Sequence, residues 1–296
     1  MPQRHPFAAF ALALVLTGCL PDAIELKPKA TSATTAGSGG STGEGGSTPF
    51  VVPDEVASWL SSQKGGFCNV AKDSYVNLCG NVPYCQDGTL LKAYPDGLSV
   101  DVGFHWAGQN GGSLLVLGGE IPEHQRLAID LAIDGTLSVN GPNQGETLSY
   151  RIAFGPHLVS YRASMQRRAL FVDGVRVAAS EASSLPVALT RGTCGNCSIP
   201  NGDPGAILGH SATNQMGGAN EASWLRFAPF LFHLRSGVDS FDTFSLDDAV
   251  MLSATRSVRL FYEAVPGATT WKPLAGPFAA VAVGASFVED VDGSCL

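Results

Sequence analysis

Three short constellations in this 296-residue chain have residue types that could do chemistry. Gly39-Gly40-Ser41-Thr42-Gly43 matches the Gly-x-Ser-x-Gly turn that presents a nucleophilic serine. That turn needs a strand running in and a helix running out, and both flanks here are low-complexity Gly, Ser and Thr, so the match is fortuitous. Cys194-x-x-Cys197 has the spacing of half a zinc site, of a redox pair or of a structural bridge. Zinc would need two further ligands from a second such pair, and a redox pair would need a helix N-terminus in a βαβ setting. A structural bridge, within the pair or to other cysteines, is therefore expected. Glu289, Asp290 and Asp292 are close enough to suggest paired acid–base carboxylates. They sit just before Cys295 near the C-terminus, where a turn is the expected state, and Asp247 and Asp248 are adjacent and so point apart. Histidines 105, 124, 157, 210 and 233 are dispersed, without the His-x-x-x-His spacing of a zinc helix. No catalytic constellation is expected.

The N-terminus gives an address. Arg4 precedes an apolar run from Phe7 to Leu16, far short of the roughly 20 residues that span a bilayer. A secretory signal is the expectation. Its end, Leu16-Thr17-Gly18-Cys19, resembles the lipobox of bacterial lipoproteins. That resemblance implies cleavage after residue 18, lipidation of Cys19 and anchoring to a membrane by several acyl chains. Leu20 follows where an inner-membrane retention signal would have Asp, so the implied location is the cell envelope, at the outer membrane of a Gram-negative cell. Residues 19–49 are rich in Gly, Ser and Thr and are expected to form a flexible tether with a coil reach of roughly 30 Å.

Residues 50–296 are long enough for one large β domain. The formal charge of −8 becomes −9 once the signal peptide's Arg4 is removed, a balance that argues against nucleic acid as partner. Arg162, Arg167, Arg168, Arg176 and Arg191 make a local excess, expected on solvated strand edges and turns. Beyond Cys19 there are six cysteines, Cys68, Cys79, Cys85, Cys194, Cys197 and Cys295. An even number outside the cytoplasm suggests three disulfides with 15 possible pairings, of which Cys194–Cys197, Cys68–Cys79 and Cys85–Cys295 are the expectation.

Period-two alternation dominates the domain. Val100, Val102, Phe104 and Trp106 share one face, while Ser99, Asp101, Gly103 and His105 share the other, which predicts a half-buried strand. Leu127, Ile129, Leu131 and Ile133 repeat the pattern before an Asp134-Gly135 turn and the returning Leu137 and Val139. Residues 150–154 and 157–164 supply two more candidate strands. Leu170 and Val172 lead out, and Val175 and Val177 lead back, around Asp173-Gly174. Asp-Gly between alternating runs predicts a type I′ hairpin turn with positive φ at both residues. Residues 53–62 are the one good helix candidate, with Val56, Trp59 and Leu60 on one face. Residues 240–250 are expected to hold at most a short turn or helix. The predicted fold class is all-β, a two-sheet antiparallel jelly-roll sandwich.

The order of elements narrows this. "LSVDVGFHW", "LAIDLAIDGTLSV", "GPHLVSYRASMQRRALFVDGVRVAAS", "AILGHS" and "WLRFAPFLFHLRSGVDSFDTFS" together resemble the laminin-G-like family of concanavalin A-like jelly rolls, over about residues 95–265. The resemblance implies a binding or adhesion module, with carbohydrate or a surface protein as partner. It also implies calcium in some members, for which Asp203, Asn214 and Asn220 in polar, Gly-rich loops are the candidates. Trp224 and Trp271 follow loop-like residues and are candidate sugar platforms, whereas Trp106 and Trp59 are expected in apolar packing. His105, Asp101 and Arg235 lie on non-core strand faces and are placed to line a groove. A glycan-active hydrolase on the same fold, or a purely structural envelope protein, are the alternatives.

Overall fold

The computed structural model describes residues 50–71, 74–80, 90–118, 125–142, 147–181, 187–190, 205–210, 224–250, 257–262, 265–275, 279–292 and 294–296. The signal sequence, Cys19 and the tether lie outside them, as do Cys85, Cys194, Cys197, Asp203, Asn214 and Asn220.

The chain enters through α1 (Asp54–Ser62), started by Pro53 with its φ of −57° and by Asp54 and Glu55 in the first turn. Nine residues are too few for a stable isolated helix. Val56 and Leu60 are buried, and Trp59 packs edge-on to Phe230 with ring centroids 5.8 Å apart, so packing holds it. The strands follow as β1 (Gly66–Cys68), β2 (Tyr75–Asn77), β3 (Leu98–Trp106), β4 (Gly112–Leu117), β5 (Leu127–Leu131), β6 (Thr136–Asn140) and β7 (Leu148–Arg151). Next come β8 (Gly155–Ala163), β9 (Arg167–Val172), β10 (Val175–Glu181), β11 (Ala206–Leu208), β12 (Ala228–Ser236) and the short α2 (Leu246–Val250). β13 (Ser257–Tyr262), β14 (Thr270–Ala275), β15 (Ala280–Val283) and β16 (Ser286–Val288) complete the chain.

Among the described residues, fourteen strands form one antiparallel ladder in the order β10-β9-β8-β3-β12-β13-β14-β15-β2-β11-β4-β5-β6-β7. The ladder folds over on itself. Val100, Val102, Phe104, Val159, Tyr161, Leu170 and Phe232 from one half meet Leu117, Leu127, Ile129, Leu137, Val139 and Leu208 from the other in a single core, and β7 and β10, its two ends, lie against each other. The chain crosses between layers from β3 to β4 and back from β7 to β8, and β8 returns beside β3. These crossings make an antiparallel two-layer sandwich of jelly-roll type, as the alternation predicts.

β3 departs from expectation in one respect. Its outer face is buried as well as its inner face, across all nine residues. The cover is α1 together with residues 237–250, where Val56, Leu60, Leu158, Phe230, Leu231 and Ala249 form a second apolar cluster. One sheet therefore sits between two layers.

The two Asp-Gly pairs behave differently. Asp173 and Gly174 both have positive φ, 50° and 82°, as the predicted hairpin turn requires. At Asp134-Gly135 only the glycine does. There Asp134 Oδ1 accepts from Thr136 N at 2.9 Å and the turn widens to start at Ala132. β5 consequently ends at Leu131, and Ile133 is thrown out to 62% exposure instead of extending the buried face.

The pairing of β1 with β16 brings Cys68 to the C-terminal turn, where it bonds Cys295 with Cα atoms 5.2 Å apart. This corrects the expected Cys68–Cys79 and Cys85–Cys295 bridges; Cys79 is itself disulfide-bonded. The turn is built by Asp292, whose Oδ1 accepts from Ser294 N at 2.8 Å and Cys295 N at 3.3 Å. That is the expected terminal turn.

Replacing Ile129 by Ala should cost about 2–5 kcal/mol of unfolding free energy in urea titration, since it hollows the core. The same change at Ile133 should stay within about 0.5 kcal/mol. Equal losses at both would show that residue 133 is buried and that the wide turn is wrong.

Candidate functional site

Cross-strand register assembles the predicted groove residues. Asp101 stands between Ser160 on β8 and His233 on β12, and Ser99 between Arg162 and Arg235. Asp101 Oδ1 accepts from Ser160 Oγ at 2.6 Å and from Arg162 Nη1 at 2.9 Å. His233 Nδ1 is 3.5 Å and Arg235 Nη2 4.0 Å from Asp101 Oδ2. Burial alone would raise the Asp101 carboxyl. Arg162, His233 and Arg235 together overcome it, Arg162 contributing most, and the group is held at about 2.

These groups do not line an open groove, because residues 237–250 lie across them as a strap. Ser99 Oγ donates to Gly237 O at 2.7 Å, His233 Nδ1 lies 2.9 Å from Ala249 O, and Arg235 pairs with Asp239. Arg167 and Arg176 pair with Asp242, the Arg167 guanidinium lies 5.3 Å over the Phe241 ring, and Phe171 packs on Phe244. Two of the arginines read as solvated edges therefore clip the strap down, and Arg162 and Arg168 are buried outright. His105, on the same face of β3, packs against Phe230 at 5.1 Å. Burial first, then the charges of Lys64 and His157, hold His105 down at about 4, so it is neutral at ordinary pH. Asp101, His105 and Arg235 are thus corrected from groove residues to buried fasteners. Trp271 is corrected as well: it is fully buried, edge-on to Phe67 at 5.1 Å, rather than a sugar platform.

Among the described residues, one end of the sandwich, organised by the loop of residues 107–111, presents exposed apolar and polar groups side by side. Trp106 Nε1 donates to Asn110 O at 3.3 Å, Asn110 Nδ2 donates to Trp224 O at 2.8 Å, and Asn110 Oδ1 accepts from Arg226 N at 2.8 Å. The loop so fixes the half-exposed Trp224. A Cβ on Gly108 would overlap the Phe154 ring, and one on Gly111 would stand 2.8 Å from Ile133 N, so only glycines let that ring and the backbone of residues 131–133 close in. Phe154 is 67% exposed, yet its edge rests on buried Trp106 with centroids 5.3 Å apart. Exposed Ile133 and Asp134 belong to the turn whose Gly135 O accepts from Ile152 N at 2.9 Å, two residues before Phe154, and exposed Arg151 donates from Nε to Asp134 O at 2.8 Å. An aromatic face held from behind, beside charged and amide groups, suits the apolar face and hydroxyl rim of a sugar ring.

Only Trp224 of the predicted ligand residues falls here. Phe154 and Ile133 were hidden by alternation, which assigns both to strand interiors. The signal that exposes Phe154 is Gly155, which has a φ of 131° and turns the chain between β7 and β8.

Behind this end lies a buried histidine–carboxylate contact. His157 Nδ1 is 2.8 Å from Asp173 Oδ2, and His157 Nε2 is 2.9 Å from Ala153 O. Asp173 Oδ1 accepts from Leu158 N at 2.8 Å, locking the hairpin turn to β8. Burial lowers the His157 pKa, but the hydrogen bond and charge of Asp173, with the Ala153 carbonyl, reverse this and leave it raised.

The chain matches no protein-family model, and no curated protein matches it significantly. Solved structures with partial overlap include a candidate carbohydrate-binding protein from Bacteroides ovatus, 12% identical with a TM-score of 0.48. The alignment spans 76% of this chain and 59% of that one. A heptameric SAP-like pentraxin from Limulus polyphemus aligns over 60% of this chain and 77% of its own, at 15% identity and a TM-score of 0.39. Domains LG4-5 of the mouse laminin α1 chain align over 60% and 46%, at 17% and 0.36. Overlap of this extent transfers no ligand and no residue role.

Asp101→Asn should cost about 3–5 kcal/mol in denaturant unfolding, because it strips Arg162 of its buried counter-charge. In the wild type the carboxylate's folded pKa lies below its unfolded value of 3.8. Its stabilisation is therefore complete above that pH and lost as pH falls towards about 2. An Asp101→Asn protein as stable as wild type would show the strap is not fastened through this carboxylate.

Proposed function

We propose that this protein is a lipid-anchored module of the bacterial cell envelope, held at the outer membrane through Cys19, that binds glycan without catalysis at the loop end bearing Phe154. One observation carries the binding reading: Phe154 is exposed but braced on Trp106, and loop 107–111 touches its ring at Gly108, the Ile133 backbone at Gly111 and the Trp224 carbonyl at Asn110. A rigid apolar face needs little ordering when a sugar stacks on it. The polar strand face that a cleft enzyme would use is taken up by the strap. The order of sequence motifs supports a laminin-G-like binding role, and the tract from Cys19 to Pro49 supplies the reach to hold the domain off the lipid surface.

The mature chain should retain specific members of a glycan array. Phe154→Ala should abolish retention with an unchanged melting temperature, because the side chain is mostly outside the core. Running the array with and without calcium decides whether the polar loops holding Asp203, Asn214 and Asn220 contribute an ion. An array without a single retained glycan would overturn the reading in favour of a structural envelope protein. Labelled palmitate should be incorporated into the wild type and lost in Cys19→Ala; incorporation in both would remove the anchor from Cys19.

A further inference from the structure

His157 faces an acceptor at each ring nitrogen: the Asp173 carboxylate at Nδ1 and the Ala153 carbonyl at Nε2. A neutral imidazole has one N–H and can satisfy only one of them, whereas the imidazolium donates to both. The second acceptor belongs to the residue immediately before Phe154. We propose that His157 is the positioning residue of the Phe154 surface, and that loss of its second proton releases the Phe154 turn and weakens ligand binding as pH rises. This rests on the binding role given to Phe154.

The step is balanced simply. One proton leaves Nε2 for water, and Nδ1–H stays with Asp173. A nitrogen lone pair then faces the Ala153 carbonyl oxygen, and the two repel. Ala153 itself is exposed and Gly155 leaves open space where a Cβ would sit, so the residue 153 carbonyl has room to swing off the ring and to move the Phe154 ring against Trp106. On its other side, Asp173 is fixed by Leu158 N, and its own N–H donates to Leu158 O at 2.9 Å, so the carboxylate cannot follow the ring.

Other groups around His157 leave this proton the one that matters near neutrality. From β3, the Phe104 ring lies 6.1 Å away and His105 is uncharged in this range. Lys64 and Asp290 act on His105 with opposite sign. From β7, Tyr150 has its hydroxyl raised by burial and then by the Asp173 charge, so it stays protonated. With the folded-state value raised above the ordinary 6.5, the clamp is complete below that pH and is lost as pH climbs through the folded value.

The test is nuclear magnetic resonance on the full mature chain, with 15N-histidine and 4-fluorophenylalanine at position 154, titrated from pH 5 to 9. Both ring nitrogens of His157 should be protonated at the acid end. The fluorine resonance should shift with the midpoint of the His157 titration, and the shift should vanish in His157→Gln. A single neutral tautomer at pH 6, or a fluorine signal that stays still while His157 titrates, would overturn the proposal. Should His157→Gln fail to fold, the wild-type titration alone decides. Neither readout involves a ligand, so an empty glycan array and a failed clamp are separate results.

Discussion

A carboxylate sealed from water must find its compensating charge within the chain, and Asp101 imposes that demand on the outer face of β3, beneath the strap. It is fully buried at the middle of β3, where the cost of an unpaired charge would amount to several kcal/mol. Register solves the problem. Antiparallel pairing sets Ser160 and His233 directly across from it and the two arginines one pair further along. What the sheet leaves incomplete, the strap supplies through Gly237, Asp239 and Ala249.

That solution displaces the functional surface. On a sheet with one wet face, polar residues alternating with apolar ones offer a ready groove. Here α1 and residues 237–250 close that face, and the polar residues become fasteners. The open positions are at the end of the sandwich, where wide turns rather than strands decide what is exposed. The loop of residues 107–111 lies against Phe154 and the backbone of Ile133 and accepts from Trp106, so the platform is tied directly to the core.

Much of the architecture was legible from alternation, because side chains on a strand point to opposite faces with a period of two. β3 has the predicted limits, the Asp173-Gly174 turn has the predicted backbone, and α1 buries the predicted face. Alternation is blind beyond the strand's own faces. It could not tell that the outer face of β3 would be covered, since the cover comes from residues 237–250, over 130 positions away in sequence. Nor could it separate Trp271 from Trp224, both preceded by loop-like residues, because packing against Phe67 on β1 is a long-range event.

Local chemistry thus determined the strands, the hairpin, the helix and the expectation of export, for each depends on neighbours within about ten residues. Tertiary structure decided the Cys68–Cys295 bridge, the burial of Asp101, His105 and Arg235, and the exposure of Phe154 and Ile133. Those outcomes depend on which distant segments meet. Two faces of one strand are written into its pattern, but the water on either side is removed only by whatever else folds against it.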